Sequence, residues 1–202
     1  MKLLALNIIF LAALIIGSAL SQTDGDKLLK ELQTKFDSIE DASADFVQSH
    51  NGKKILSGIL HYKYKNKLRI DTKKLLIISD GSTSWNFNKK ENKVIISNYE
   101  ENSSGLLSIN ELVYVFPEGC DISSTVEDNQ RILILIPNSY SASFDRIDIW
   151  MNDDDLISKV RVNDASMGTT EVIFSNYRLN QDMALSEFTF TPPEGSKIID
   201  LR

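Results

Sequence analysis

The stretch Gly58–Phe87, GILHYKYKNKLRIDTKKLLIISDGSTSWNF, decides the fold. It reads as four short strands joined by three turns. Gly58, Leu60, Tyr62 and Tyr64 fall on one face at period two, with Ile59, His61 and Lys63 on the other. Lys65-Asn66-Lys67 breaks the run, Leu68-Arg69-Ile70 resumes it, and Leu75–Ser79 forms a third, more apolar run. Asp80-Gly81 is a pair suited to the positive φ of a tight hairpin, with Trp85-Asn86-Phe87 as the return strand. Large apolar and aromatic side chains turned to one side of a sheet need a cover, either protein or lipid.

Outward from this stretch, the N-terminus predicts export. Lys2 precedes an apolar run from Leu3 to Ile16, interrupted by Asn7. Ala19 and Ser21 then stand at the −3 and −1 positions of a cleavage site. Residues 1–21 therefore read as a secretory signal peptide and 22–202 as one mature domain, expected to be soluble and exported. The apolar run is short for a membrane span, and no cysteine near residue 22 offers a lipid attachment point. The net charge of −6 is dispersed, without a basic block, which argues against nucleic-acid binding. The single cysteine, Cys120, allows no intramolecular disulfide, so stability must come from the core. A monomer is expected.

Asp24 or Asp26 is a candidate cap for a helix whose stripe is Leu28, Leu29, Leu32, Phe36 and Ile39. From Ala42 the pattern changes to strands. Ser43–His50 and Lys54–Tyr64 flank Asn51-Gly52, a type I′ turn signal. Lys93–Ser97 follows, and a short helix is expected over Leu106–Phe116, closed by Pro117 and Gly119. Further strands are expected at 122–126, 131–136, 143–151, 156–162, 169–177 and 186–191. The fold class is mainly β (α+β), a strongly curved antiparallel sheet closed or nearly closed. An interior of about ten strands is wider than side chains need to fill. It either holds an apolar ligand or is plugged by the two helices.

Catalytic signatures are missing: there is no G-x-S-x-G, H-E-x-x-H, C-x-x-C or glycine-rich phosphate loop. No enzymatic activity and no cofactor are expected. His50 and His61 lie on neighbouring strands of one hairpin, yet no third ligand accompanies them. Asp153-Asp154-Asp155 lacks the alternation of a calcium loop and reads as a solvated turn.

Several motifs, in order along the chain, resemble the periplasmic outer-membrane lipoprotein carrier proteins (LolA). Phe46-Val47-Gln48 resembles that family's F-x-Q, followed by Gly58-x-Leu60 and Leu68-Arg69. Ser79-Asp80-Gly81 with Trp85-Asn86-Phe87 resembles its S-D-G-x-x-x-W-x-Y. Leu133-x-Leu135-x-Pro137 resembles its L-x-P, and Phe188–Gly195 resembles its F-x-F-x-P-P-x-G tail. The resemblance implies an incomplete barrel of about eleven strands with a helical lid. It also implies a periplasmic carrier that takes acylated lipoproteins from an inner-membrane ABC transporter and passes them to an outer-membrane receptor. Leu60, Tyr62, Tyr64, Leu68, Arg69, Trp85 and Phe87 are the residues expected to line or rim the acyl cavity. An alternative on the same scaffold is a sensor or regulatory module that binds a lipid or protein partner without transporting it. One departure is visible: Tyr64-Lys65 replaces the family's Arg-Pro pair, whose arginine helps hold the lid closed. Tyr64 through its hydroxyl, or Arg69 from another strand, is the candidate substitute.

Overall fold

The computed structural model describes residues 17–99, 110–139 and 144–202, with side chains from residue 24. Twelve strands form one open, curled sheet: β1 (Asp41–His50), β2 (Lys53–Lys63), β3 (Lys67–Thr72), β4 (Leu75–Asp80), β5 (Thr83–Asn88), β6 (Lys93–Asn98), β7 (Cys120–Glu127), β8 (Gln130–Pro137), β9 (Arg146–Met151), β10 (Ile157–Asp164), β11 (Gly168–Leu179) and β12 (Lys197–Asp200). Their order is β12-β6-β5-β4-β3-β2-β1-β11-β10-β9-β8-β7. All neighbours are antiparallel except β12, which runs parallel to β6.

The hairpin signals act as read, with one adjustment. Asn51 and Gly52 both take positive φ, 47° and 75°, as a type I′ turn requires. At Asp80-Gly81 only Gly81 does, at 94°. Asp80 ends β4 and closes the turn with its side chain, whose Oδ1 accepts the N–H groups of Ser82 and Thr83, both at 2.8 Å.

The helix α1 (Gly17–Asp37) starts upstream of Asp24 and Asp26, so these lie inside it rather than capping it. Its stripe works as predicted: Leu28, Leu32 and Phe36 are buried in the main core, and α1 packs on β7 and β8. Of the second helix, 106–109 fall outside the described residues. The rest is a π-helical turn, Glu111–Val115, whose Leu112 and Val113 are fully buried.

The tail differs most from expectation. The strand expected over 186–191 is a 3₁₀ turn, Leu185–Phe188, followed by an extended strap, and the strand lies later, at β12. Pro192 and Pro193 lack N–H donors for a ladder, and Phe188 turns into the sheet, fully buried. This strap covers the outer face of β3–β6. There Leu76, Ile78, Val94 and Ile96 are buried apart from the main core, and Phe190 lies 5.5 Å from Phe87 between ring centroids. The sheet therefore changes its buried face along its width. From β1 to β3 and from β8 to β11 it buries the inner face, in the core that the α1 stripe shares, and β8 and β9 also bury Ile132, Ile134 and Trp150 on the opposite face. Around β4–β6 it buries the outer face, against the strap.

Candidate functional site: the roofed inner face and its mouth

The inner face is set by cross-strand register. Ala44 faces Leu60, Leu60 faces Ile70, Ala42 faces Tyr62, and Tyr62 faces Leu68. Leu60 and Leu68 are buried in the core beneath α1, so this stretch of interior is filled by protein side chains in the structure. Tyr62 stands where the filling ends. Beyond it opens a pocket of about 580 Å³, lined by Phe36, Asp37, Tyr62, Tyr64, Lys65, Asn66, Asn110 and Tyr114. That size falls within the range of ligand sites.

The two parts of the roof, α1 and the Glu111–Val115 turn, are tied to each other at this mouth. The Tyr114 hydroxyl donates to Asp37 Oδ1 at 2.5 Å, and Gln33 Nε2 donates to the Val113 carbonyl at 3.2 Å. Burial and then the Asp37 carboxylate push the Tyr114 phenol well above its ordinary range, so it remains a proton donor through neutral and mildly alkaline pH. Burial likewise raises Tyr62, with smaller contributions from Tyr64 and Asp37. Removing the hydroxyl by Tyr114→Phe is expected to cost about 1 kcal/mol. Hydrogen exchange at the amides of Glu111–Val115 should accelerate, and an unchanged exchange rate would show that the bond does not hold the roof.

The seven predicted site residues divide between the two faces. Leu60, Tyr62 and Leu68 share the inner face, and Tyr64, 65% exposed, stands on the rim of the pocket. Arg69, Trp85 and Phe87 lie on the outer face, in register with Ile78, Ile78 and Leu76 respectively. Among the described residues neither latch candidate, Tyr64 or Arg69, bonds to α1 or to the Glu111–Val115 turn. Among the described residues the Tyr64 hydroxyl makes no hydrogen bond. Arg69 instead donates to the Glu187 carbonyl of the strap at 3.3 Å and to Asp71 at 3.2 Å. The tie that does hold the roof, Tyr114 to Asp37, has no sequence signal, because its partners are 77 residues apart.

Two further expectations are corrected or placed. His50 and His61 are not neighbours: His61 faces Ser43, seven residues from His50 along β1, or about 23 Å. His50 Nδ1 is engaged with Thr170 Oγ1 at 3.0 Å. Among the described residues no three His, Cys, Asp or Glu are grouped for a metal ion. The Asn152–Asp155 turn is closed by Asn152 Oδ1, which accepts from Asp154 and Leu156, while Asp155 pairs with Arg131.

Asp41 is a second residue that spacing alone could not reveal. At 1% exposed, it accepts the backbone N–H groups of Gln181 at 2.8 Å and Met183 at 2.9 Å, and the Lys63 ammonium at 3.3 Å. It thereby fixes the chain as it leaves β11 for the strap. Burial alone would raise its carboxyl, but these donors outweigh burial and hold it below the ordinary value. A depressed folded value means stability present above the unfolded carboxylate value, about 3.9, and lost as pH falls through the folded one. Acid titration of wild type against Asp41→Asn should show wild type losing its advantage only below about pH 4. A difference between the two that does not change with pH would rule out the ionised form as the anchor.

An open, curled antiparallel sheet roofed by an N-terminal helix, with a pocket at one mouth, defines the lidded half-barrel class. The family model described as outer membrane lipoprotein carrier protein LolA matches residues 37–191, and the chain belongs to that family. It is 25% identical over 206 residues to an outer-membrane lipoprotein carrier protein of Bordetella avium (strain 197N), covering 95% of each. It is 21% identical over 210 residues to an uncharacterized protein of Methanocaldococcus jannaschii, covering 98% of this chain but only 60% of that protein. A crystal structure of an uncharacterized conserved protein from Thermus thermophilus superposes with a TM-score of 0.59 at 9% identity, covering 88% of this chain and 99% of that one.

Proposed function

We propose that the chain is an exported carrier that shields the acyl chains of lipidated molecules and moves them between membranes. The observation that carries this reading is the nature of the roof. Leu28, Leu32 and Phe36 of α1 cover the apolar inner face as a separate element, tied at the mouth by Tyr114–Asp37 and Gln33–Val113. An acyl chain offers the same apolar surface as that stripe. Each CH₂ it removes from water is worth roughly 0.8 kcal/mol, enough for several carbons to compensate for lifting the helix edge. Release is possible for the same reason, since α1 can return to the surface the cargo leaves.

In this reading Leu60, Tyr62 and Leu68 meet the acyl chain and Tyr64 stands at its entry. Arg69, Trp85 and Phe87 act from the far side, by holding the wall to the strap. Family membership supports delivery from an inner-membrane transporter to an outer-membrane receptor as the route.

The test is native mass spectrometry of the full chain with a synthetic diacylated peptide and its unacylated twin. A one-to-one complex with the acylated peptide alone is expected, weakened by Tyr62→Asp. Absence of a complex with folded protein, or equal binding of both peptides, would sink the carrier reading.

A further inference from the structure

The end of the sheet opposite the pocket carries three adjacent turns rich in lysine. The β1–β2 hairpin contributes Lys53 and Lys54, the β3–β4 turn Lys73 and Lys74, and the β5–β6 turn Lys89 and Lys90. Register and bonding place them side by side. Gly58 faces Thr72, Leu75 faces Asn88, and the Lys89 N–H donates to the Lys74 carbonyl at 2.9 Å. All six are exposed. Six of the chain's 22 basic residues are thus gathered here although the net charge is −6. The carboxylates among them are Asp71, held by Lys89 at 2.6 Å and by Arg69, and Glu91. Among the described residues, no other lysine of the six is ion-paired.

An apolar side chain sits within this charge. Ile55 is 57% exposed and lies in a groove of about 290 Å³ with Leu56, between Lys54 on one side and Lys73 and Lys74 on the other. From these observations we infer that this lysine tip docks on an anionic phospholipid surface, with Ile55 entering the headgroup layer.

Three features select a lipid surface over a folded partner. The cations are all lysine, compact point charges suited to a diffuse anionic plane, whereas paired carboxylates on a protein are met by arginine forks. They stand on protruding turns, a shape that meets a plane rather than a cleft. Their hydrocarbon stems flank an exposed isoleucine, the arrangement of side chains that place a charge at the interface and carbon beneath it. The patch is also one-sided: the loops of β9–β11 at the same end carry Asp145 and Asp164, so the molecule would settle on its β2–β6 edge. The pocket mouth, bounded by the β2–β3 turn, then points away from the bilayer. Docking holds the protein at the membrane while leaving the mouth open to a partner.

The experiment is co-sedimentation of the full chain with vesicles of pure phosphatidylcholine and of phosphatidylcholine mixed equally with phosphatidylglycerol. The readout is the ratio of the two affinities, so any contribution of the apolar leader common to both cancels. A ratio well above one at low salt is expected, falling as salt rises. With about fivefold per lysine near an anionic surface, Lys73→Glu/Lys74→Glu/Lys90→Glu should lower the ratio on the order of 100-fold. Ile55→Ser should weaken binding several-fold. These positions are exposed, so circular dichroism should show an unaltered fold. A wild-type ratio of one, the outcome if only an acidic protein is recognised, overturns the inference, as does a ratio unchanged in the triple variant. Capture of the acylated peptide in solution should be the same in that variant. Loss of capture with an intact vesicle ratio would therefore strike the carrier reading alone.

Discussion

Phe188→Ala should lower stability by about 3–5 kcal/mol, the cost of emptying a fully buried aromatic site, and shift the melting midpoint by on the order of 10 °C. Phe188 has no exposed surface, although it belongs to a strap that is otherwise mostly accessible. It is the anchor of Leu185–Gly195 on β3 and β4, with Phe190 on Phe87 as a second contact. The loss should be local before it is global. Proteolysis in the 184–196 segment is expected to accelerate by more than overall unfolding does, because β12 and the Asp41 anchor still hold the two ends of the strap. If melting falls but cleavage in the strap is no faster than elsewhere, Phe188 is part of the common core rather than the pin of a separate layer.

Gly58→Ala should be nearly as severe for an opposite reason, a lack of space. A Cβ at Gly58 would lie 2.0 Å from the Asp71 carbonyl oxygen and 2.9 Å from its carbon. These are backbone atoms of the adjacent strand, so no side-chain rotation relieves the clash, and β2 and β3 must part. A loss on the order of 3 kcal/mol, the upper part of the range for overpacking, is expected. Gly58 faces Phe46 on one side and Thr72 on the other. Separation would therefore also loosen Lys89, which donates to the Thr72 carbonyl at 2.7 Å. Chemical denaturation measures the loss. A variant as stable as wild type would mean that the two strands tolerate a wider spacing and that the glycine is not required by contact. Either outcome bears on function, because this pair of strands carries Leu60 and Leu68, the floor of the proposed acyl path.

The motif series is more legible as a list than as a structure. Ser79-Asp80-Gly81, Trp85-Asn86-Phe87 and Phe188–Pro193 are each visible in the sequence, where Trp85 and Phe87 read as part of the cavity wall. The register shows instead that Trp85 and Phe87 form one packing unit with the tail motif, on the face away from the cavity. The parity is countable in principle. Leu68 faces Ser79 and Ser79 faces Ser84, so Ser84 points inward and Trp85 outward. Large aromatic residues mark the inner face only when a sheet buries one side throughout, whereas this one changes its buried side across its width.

By itself the sequence determined the local elements: the type I′ turn at Asn51-Gly52, the apolar stripe of α1, the alternation of β2, and the family to which these belong. Those features depend on residues a few positions apart, where backbone geometry alone relates spacing to direction. Tertiary structure decided the rest. Tyr114 meets Asp37 across 77 positions, Asp41 meets Met183 across 142, and the lysines of three hairpins gather at one tip. Such contacts are set by how a curled sheet stacks its strands, and no short-range pattern records which distant residues that stacking brings together.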